Sequence, residues 1–191
     1  IKRSIDIVGA ICLAILFLPL LLITTLLVFY DVGAPILFWQ QRPGLRGRAF
    51  RLYKFRTMQH AGRKLDEDRN THKSADSKRT SAIGKWIRRF RWDELPQIFH
   101  IIAGTMSFVG PRPLLPDDQP MLGEARLSVR PGVTGWAQIH GGDALTPQEK
   151  LGLDLWYIQN MSFWLDLRIL LATFVFVLKE DKYHRDRLFT Q

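Results

Sequence analysis

Asp93 and Glu94 are adjacent carboxylates that follow Arg88, Arg89 and Arg91 and precede Leu95 and Pro96. Proline is comfortable only in the first turn of a helix, so a helix over residues 93–104 is expected to start at this acidic pair. A helix N-terminus offers unpaired N–H groups and positive dipole potential, which favour a bound phosphate and an ionised carboxylate. Asp93 in that state can act as a nucleophile. Glu94 beside it can supply an oxygen to Mg²⁺, a hard cation commonly held by one or two carboxylates plus substrate phosphates. The same two residues also read as an N-cap and a first-turn acid.

Other residues could meet an anion. Arg112 stands between Pro111 and Pro113, whose fixed φ orders the backbone and lowers the entropy lost in aiming a guanidinium at phosphate. Lys54 and Arg56 share a face if residues 49–57 form a strand, which places two cations at one site or on a plain solvated surface. The glycine-rich residues 130–138, ending at Gln138, can bring backbone close to a ligand, yet they lack the P-loop pattern. Trp156 and Tyr157 near Asp154 can stack on a base or fill a core. The five histidines have no metal-ligand spacing, and neither GxSxG nor HExxH occurs.

The elements that must position these groups begin with 24 uncharged residues, 7–30. As one straight helix they would measure about 36 Å against a hydrocarbon core of about 30 Å, so they form a membrane segment. Lys2 and Arg3 precede the run and Arg42, Arg46 and Arg48 follow it, so a simple crossing would export cations that normally stay cytoplasmic. Pro19, near the middle, removes a helical hydrogen bond. Two readings follow, a re-entrant hairpin broken at Pro19 or a spanning helix with a proline kink. Beyond it, residues 36–39 read as a short strand or interfacial segment, 43–47 as a turn and 49–57 as a strand. Residues 59–81 read as a solvated helix or mobile loop. An amphipathic basic helix is expected from Ile83, because Ile83, Trp86, Ile87 and Phe90 recur at helical spacing among arginines and Lys85. Residues 110–120 and 130–142 read as irregular, and Thr146 as the N-cap of a further helix. The apolar residues 169–178 are too few to span and belong in the core or along a membrane surface.

The whole chain, 191 residues and 22.1 kDa, suits one domain. Hydrophobic residues at 47% and charged residues at 24% exclude a disordered tail and a wholly membrane-embedded bundle. The single cysteine, Cys12, excludes an internal disulfide and a thiolate zinc site. Of the net charge of +9, residues 42–91 carry sixteen Lys and Arg against four Asp and Glu, so this region attracts phosphate as nucleotide, nucleic acid or lipid headgroup.

Seven pieces in order, Lys2-Arg3 with Asp6, Gln41-Arg42 with Gly44 and Gly47, residues 53–58, residues 93–97, residues 110–113, residues 131–135, and Leu153-Asp154 with Trp156-Tyr157, give the chain its family likeness. It resembles the monotopic phosphoglycosyl transferases, bacterial sugar transferases that load a phospho-sugar onto a polyprenyl phosphate. The resemblance implies an α+β, mainly helical fold: one catalytic domain over 1–191 containing a re-entrant membrane helix-break-helix hairpin at 5–30, interfacial amphipathic helices and a small β element. It implies a site on the cytoplasmic face of the bacterial inner membrane. There Asp93 attacks the β-phosphorus of a UDP-sugar, UMP leaves, and undecaprenyl phosphate displaces the aspartate, the first membrane step of glycoconjugate or exopolysaccharide synthesis. By the same carry-over Glu94 helps to hold Mg²⁺, Arg88 and Arg112 contact phosphate or nucleotide, and Lys54, Arg56, Gln138 and Asp154 organise the donor or metal site.

Leu18 stands before Pro19 where the family often has serine, so the break must rest on proline and packing. Ile1 in place of methionine is expected of a trimmed chain or of the catalytic part of a longer membrane protein. The expected partners are UDP-sugar, polyprenyl phosphate and membrane lipid, with self-association into a homo-oligomer left open. Nucleic acid is not expected, because the apolar hairpin holds the chain at a bilayer. The competing reading is a non-enzymatic basic module that docks on anionic lipid.

Overall fold

Proline lacks an N–H, so a helix can begin at Pro19 but cannot run through it unbroken. In the computed structural model, which describes residues 1–58, 80–119 and 123–188, the apolar run is accordingly two helices, α1 (Lys2–Leu16) and α2 (Leu18–Val32). The break falls at Phe17, and Pro19 lies in the first turn of α2. The two helices are bent by 62°. Among the described residues no single helix is long and apolar enough to cross a membrane, while this bent pair passes the test of length and composition together.

The other elements are β1 (Leu37–Pro43), β2 (Ala49–Phe55), α3 (Ala82–Arg89), α4 (Gln97–Ala103), β3 (Ser107–Val109), β4 (Gly132–Thr134), α5 (Trp136–Ile139), α6 (Pro147–Gln159) and α7 (Phe163–Leu188). The fold is therefore mainly helical with a small β content, as expected. β1 and β2 form one two-stranded sheet, and β3 and β4 pair in parallel with Ser107 opposite Gly132 and Val109 opposite Thr134. The expectation for residues 59–81 lies, apart from Thr80 and Ser81, outside the described residues.

The chain folds as two compact units, each assembled from separate stretches. The smaller comprises Ala14–Trp39 and Tyr53–Pro96. Its core is Leu21, Val28, Phe55 and Ile87, with Leu27, Val32, Ile36, Trp92 and Leu95 packed against it. The larger comprises Ile1–Leu13, Gln40–Leu52 and Gln97–Gln191. Its core is Val109, Tyr157 and Ile169, ringed by Phe108, Trp136, Ile139, Ile158, Met161 and Leu165. Tyr157 is thus a core residue whose hydroxyl donates to Asp166 Oδ1 at 2.6 Å. Trp156 is half-exposed and stacks on Trp136 at 4.7 Å. Thr146 caps α6 in a reciprocal capping box with Glu149.

The charged residues ahead of the apolar run have structural partners within the larger unit. Asp6 accepts from Ser107 Oγ at 2.8 Å, Arg3 donates to the Ile101 and Ile102 carbonyls at 2.7 and 3.1 Å, and Lys2 pairs with Asp166. Arg3 therefore satisfies the Ile102 carbonyl at the last turn of α4 and adds a second donor to the Ile101 carbonyl, which also accepts from Gly104 N at 3.1 Å. The apolar surface stays open. Ile5, Val8, Ile11 and Ile15 on α1, Leu18, Leu22, Ile23 and Leu26 on α2, and Trp164, Leu171 and Phe174 on α7 are all exposed. In the apolar stretch 169–178 Ile169 is fully buried, while Leu170, Leu171, Phe174, Val175 and Phe176 are exposed.

Candidate active site

The smaller unit presents Asp93 and Glu94 through an alternation of apolar and polar positions. Trp92 and Leu95, three apart, pack on the core of Phe55 and Ile87, so the carboxylates between them are turned away from it. Residues Trp92–Glu94 form a single 3₁₀ turn, in which positions three apart eclipse one another. The reversal that leads into it is made by Arg91, whose φ of 58° is left-handed. The helix expected to begin at Asp93 begins instead at Gln97, because Pro96 closes the chain's turn and cannot donate to it. Asp93 therefore owes its environment to neighbouring side chains rather than to a helix dipole.

Those neighbours are mostly cationic. Lys54, at the end of β2 and opposite in direction to buried Phe55, donates to Glu94 Oε1 at 2.7 Å. Arg91 lies 3.5 Å from Glu94 Oε2. Arg88 donates through Nε to the buried Thr57 hydroxyl at 2.8 Å. The helix carrying Arg88 is placed by Ser81, whose side chain caps it by accepting from Gly84 N at 2.9 Å and donates to Asp31. It is also placed by Gly84, where a Cβ would come within 2.5 Å of the Thr57 carbonyl oxygen.

Among the described residues the Asp93 carboxyl makes no hydrogen bond. Burial and the adjacent Glu94 push it up to about 6, against the opposing pull of Lys54, Arg88 and Arg91. It is ionised at neutral pH yet poorly solvated, which suits a nucleophile. Metal fit rests on the same pair. Two hard oxygen donors are adjacent in this turn, and the repulsion by which Glu94, after burial, raises Asp93 is one that a divalent cation shared by the pair would relieve. No cluster of three or more His, Cys, Asp or Glu occurs among the described residues, so an ion held by this pair would take its remaining oxygens from substrate or water.

Arg56 belongs to this unit but not to this cluster. β2 ends at Phe55, and the Arg56 guanidinium turns to the Val32 and Gly33 carbonyls at the end of α2. Lys54 and Arg56 are therefore not brought to one site.

Three expected residues lie in the larger unit. Asp154 is 2% exposed and held by Arg126, whose Nε donates to its Oδ2 at 2.7 Å. Burial pushes the Asp154 carboxyl up more than Arg126 and Lys150 draw it down. Arg126 also donates through Nη2 to the Arg112 carbonyl at 3.0 Å, so Asp154 acts on the Pro111-Arg112-Pro113 backbone through Arg126. The Arg112 guanidinium makes no hydrogen bond among the described residues. Gln138, on α5, has both amide atoms buried without a partner, its oxygen close to Gly135. Arg126 carries no sequence signal, and Arg91 and Thr57 stand in the sequence motifs without an assigned role. Arg126 sits 28 positions from Asp154 with no local pattern to link them.

The bacterial sugar transferase family matches the chain over residues 1–180. An uncharacterized sugar transferase, EpsL, of Bacillus subtilis (strain 168) is 43% identical over 91% of this chain and 85% of its own length. The undecaprenyl-phosphate glucose phosphotransferase of Komagataeibacter xylinus is 40% identical over 90% of this chain. The UDP-N-acetylgalactosamine-undecaprenyl-phosphate N-acetylgalactosaminephosphotransferase of Aeromonas hydrophila is 40% identical over 91% of it. The chain spans 35% and 42% of the lengths of these last two proteins.

Proposed function

This chain belongs to the bacterial sugar transferase family, and on that premise we propose that it transfers a sugar phosphate from a UDP-sugar to undecaprenyl phosphate through Asp93. The observation that carries the reading is the Asp93 carboxyl, partly buried, without a hydrogen bond among the described residues, and flanked by Glu94, Lys54, Arg88 and Arg91. In the first step an Asp93 oxygen attacks the β-phosphorus, forming the aspartyl–phosphorus bond, and the bond from that phosphorus to the bridging oxygen breaks. The electron pair leaves with UMP. In the second step a phosphate oxygen of undecaprenyl phosphate attacks the same phosphorus, and the aspartyl bond breaks to regenerate the carboxylate. Splitting the transfer lets a water-soluble donor and a lipid acceptor use one carboxylate in turn.

Lys54 and Arg88 are suited to balance charge on the phosphoryl oxygens, with Thr57 fixing the orientation of Arg88. Arg112, whose guanidinium makes no hydrogen bond among the described residues, is suited to meet a phosphate within the larger unit. Glu94, released in part from Lys54, would hold Mg²⁺ together with substrate oxygens. When bound, the ion would supply Lewis-acid polarisation of the diphosphate. The exposed apolar faces of α1 and α2, bent at Phe17, support a re-entrant hairpin, with exposed Ile83 and Trp86 on the basic helix α3 at the membrane surface. The cations on both flanks of the apolar run, Lys2 and Arg3 before it and Arg42, Arg46 and Arg48 after it, favour the cytoplasmic face.

The test is a screen of UDP-sugars in detergent for UMP release before acceptor is added, with intact-mass detection of a phospho-sugar adduct. The adduct is expected on the wild-type chain and not on Asp93→Asn. Equal donor turnover in Asp93→Asn would refute the nucleophile. Salt-sensitive vesicle binding with no consumption of any UDP-sugar would favour the non-enzymatic lipid-docking reading.

A further inference from the structure

Arg42 is the penultimate residue of β1, and none of the roles above uses it. After it the chain turns at Gly44, whose N–H donates to the Arg48 carbonyl at 2.9 Å. The following turn, Leu45–Gly47, packs against the turn Gly123–Ser128. That second turn carries Arg126, which holds the Arg112 carbonyl. Residues 42 and 112 thus meet in one neighbourhood of the larger unit.

Their guanidiniums are close enough to repel. Burial lowers the Arg42 pKa, Arg112 lowers it further, and Asp118 opposes them. Arg42 Nη2 donates to Gln40 Oε1 at 2.7 Å, but its Nε is buried without a partner. Arg112 makes no hydrogen bond, and Asp118 forms no ion pair, among the described residues. Asp118 draws Arg42 back up, while the buried Arg42 Nε and the Arg112 guanidinium leave hydrogen bonds unmade among the described residues. Buried donors are normally satisfied, and a guanidinium pair is matched geometrically by a tetrahedral oxyanion.

Resting on the function proposed above, we propose that Arg42 and Arg112, gathered by the Leu45–Gly47 and Gly123–Ser128 turns, form a subsite for a phosphoryl oxyanion, with Arg42 as a binding residue. Both the nucleoside diphosphate donor and the lipid phosphate acceptor carry that chemistry.

The experiment uses the full chain in detergent. Inorganic pyrophosphate binding is read by ³¹P line broadening, UDP binding by calorimetry, and the KM for polyprenyl phosphate by turnover, in wild type, Arg42→Gln, Arg42→Lys and the exposed control Arg48→Gln. Arg42→Gln is expected to weaken pyrophosphate about tenfold at an unchanged thermal midpoint, with Arg42→Lys intermediate and Arg48→Gln within about twofold of wild type. A matching loss of UDP affinity assigns the subsite to the donor. A raised KM for polyprenyl phosphate with unchanged UDP binding assigns it to the acceptor. Wild-type pyrophosphate affinity in Arg42→Gln, or an equal loss in Arg48→Gln, overturns the subsite. Should Arg42→Gln fail to fold, wild-type affinity in Arg42→Lys overturns it instead. Pyrophosphate binding needs no turnover, so the subsite is decided even if the chain releases no UMP.

Discussion

The Lys54 ammonium lies 2.7 Å from Glu94 Oε1, joining the end of β2 to the turn that carries Asp93 across forty residues of chain. Burial raises the Asp93 pKa most, Glu94 raises it further and Lys54 draws it down, so this pair adjusts the fraction of Asp93 that is ionised.

With Asp93 pushed up to about 6, the donor half-reaction should gain activity as pH rises and level off above about 7. Below pH 6, kcat/KM for the donor should fall about tenfold per pH unit. UMP release measured between pH 4.5 and 8 checks this, and a flat profile would remove Asp93 as the ionising group.

Altering the pair should move that acid limb in opposite directions. Lys54→Gln withdraws a compensating cation, so the limb moves to higher pH and activity at pH 6.5 drops about tenfold. Glu94→Gln removes the repelling charge, so the limb moves to lower pH, whatever its cost to the maximum rate. Full pH profiles of both variants make the comparison, and shifts of the same sign would contradict it.

Stability should respond to the same group. The folded chain keeps Asp93 protonated up to about pH 6, whereas the unfolded chain releases that proton near 3.8. In this window the folded state binds more protons, so stability falls as pH rises from about 4 to 6 and then levels off. Asp93→Asn cannot ionise and should be more stable than wild type at pH 7.5 by about 1–3 kcal/mol, with the difference vanishing at pH 4. Thermal midpoints in detergent at the two pH values measure it.

Asp154 and Arg126 are 2% and 4% exposed, so losing one partner strands the other. Asp154→Asn should cost about 3–5 kcal/mol, and Asp154→Leu with Arg126→Met should recover much of that loss. The double variant should nevertheless lose pyrophosphate affinity, because the Arg112 carbonyl no longer has its donor. Denaturant midpoints together with pyrophosphate binding separate the two effects.

Gly132 and Gly135 allow β4 to press against Gly110. A Cβ on Gly132 would lie 2.1 Å from Gly110 N, and one on Gly135 would lie 2.2 Å from Gly110 O. Alanine at either position should abolish folded protein, whereas Gly152→Ala, with nothing near its Cβ, should be tolerated. Monodisperse yield after detergent extraction is the readout.

The sequence alone determined what depends on near neighbours. Pro19 marked where the apolar run is interrupted, by a break or a kink, Thr146 a capped helix start, and the Ile83, Trp86 and Ile87 spacing an amphipathic helix, because backbone sterics and helical periodicity act within a few residues. The ordered motifs also carried the family. Even local rules misplaced the helix after Asp93, since Pro96 permits both a first turn and a preceding 3₁₀ turn, and the core packing of Trp92 and Leu95 selects the second. The β3–β4 pair was invisible, because three-residue strands joined across more than twenty positions leave no periodicity. Tertiary structure alone decided which cation meets which carboxylate: Lys54 with Glu94, Arg126 with Asp154, and Arg56 with the end of α2. Charge acts through space at a few ångströms, and only the folded chain fixes those distances.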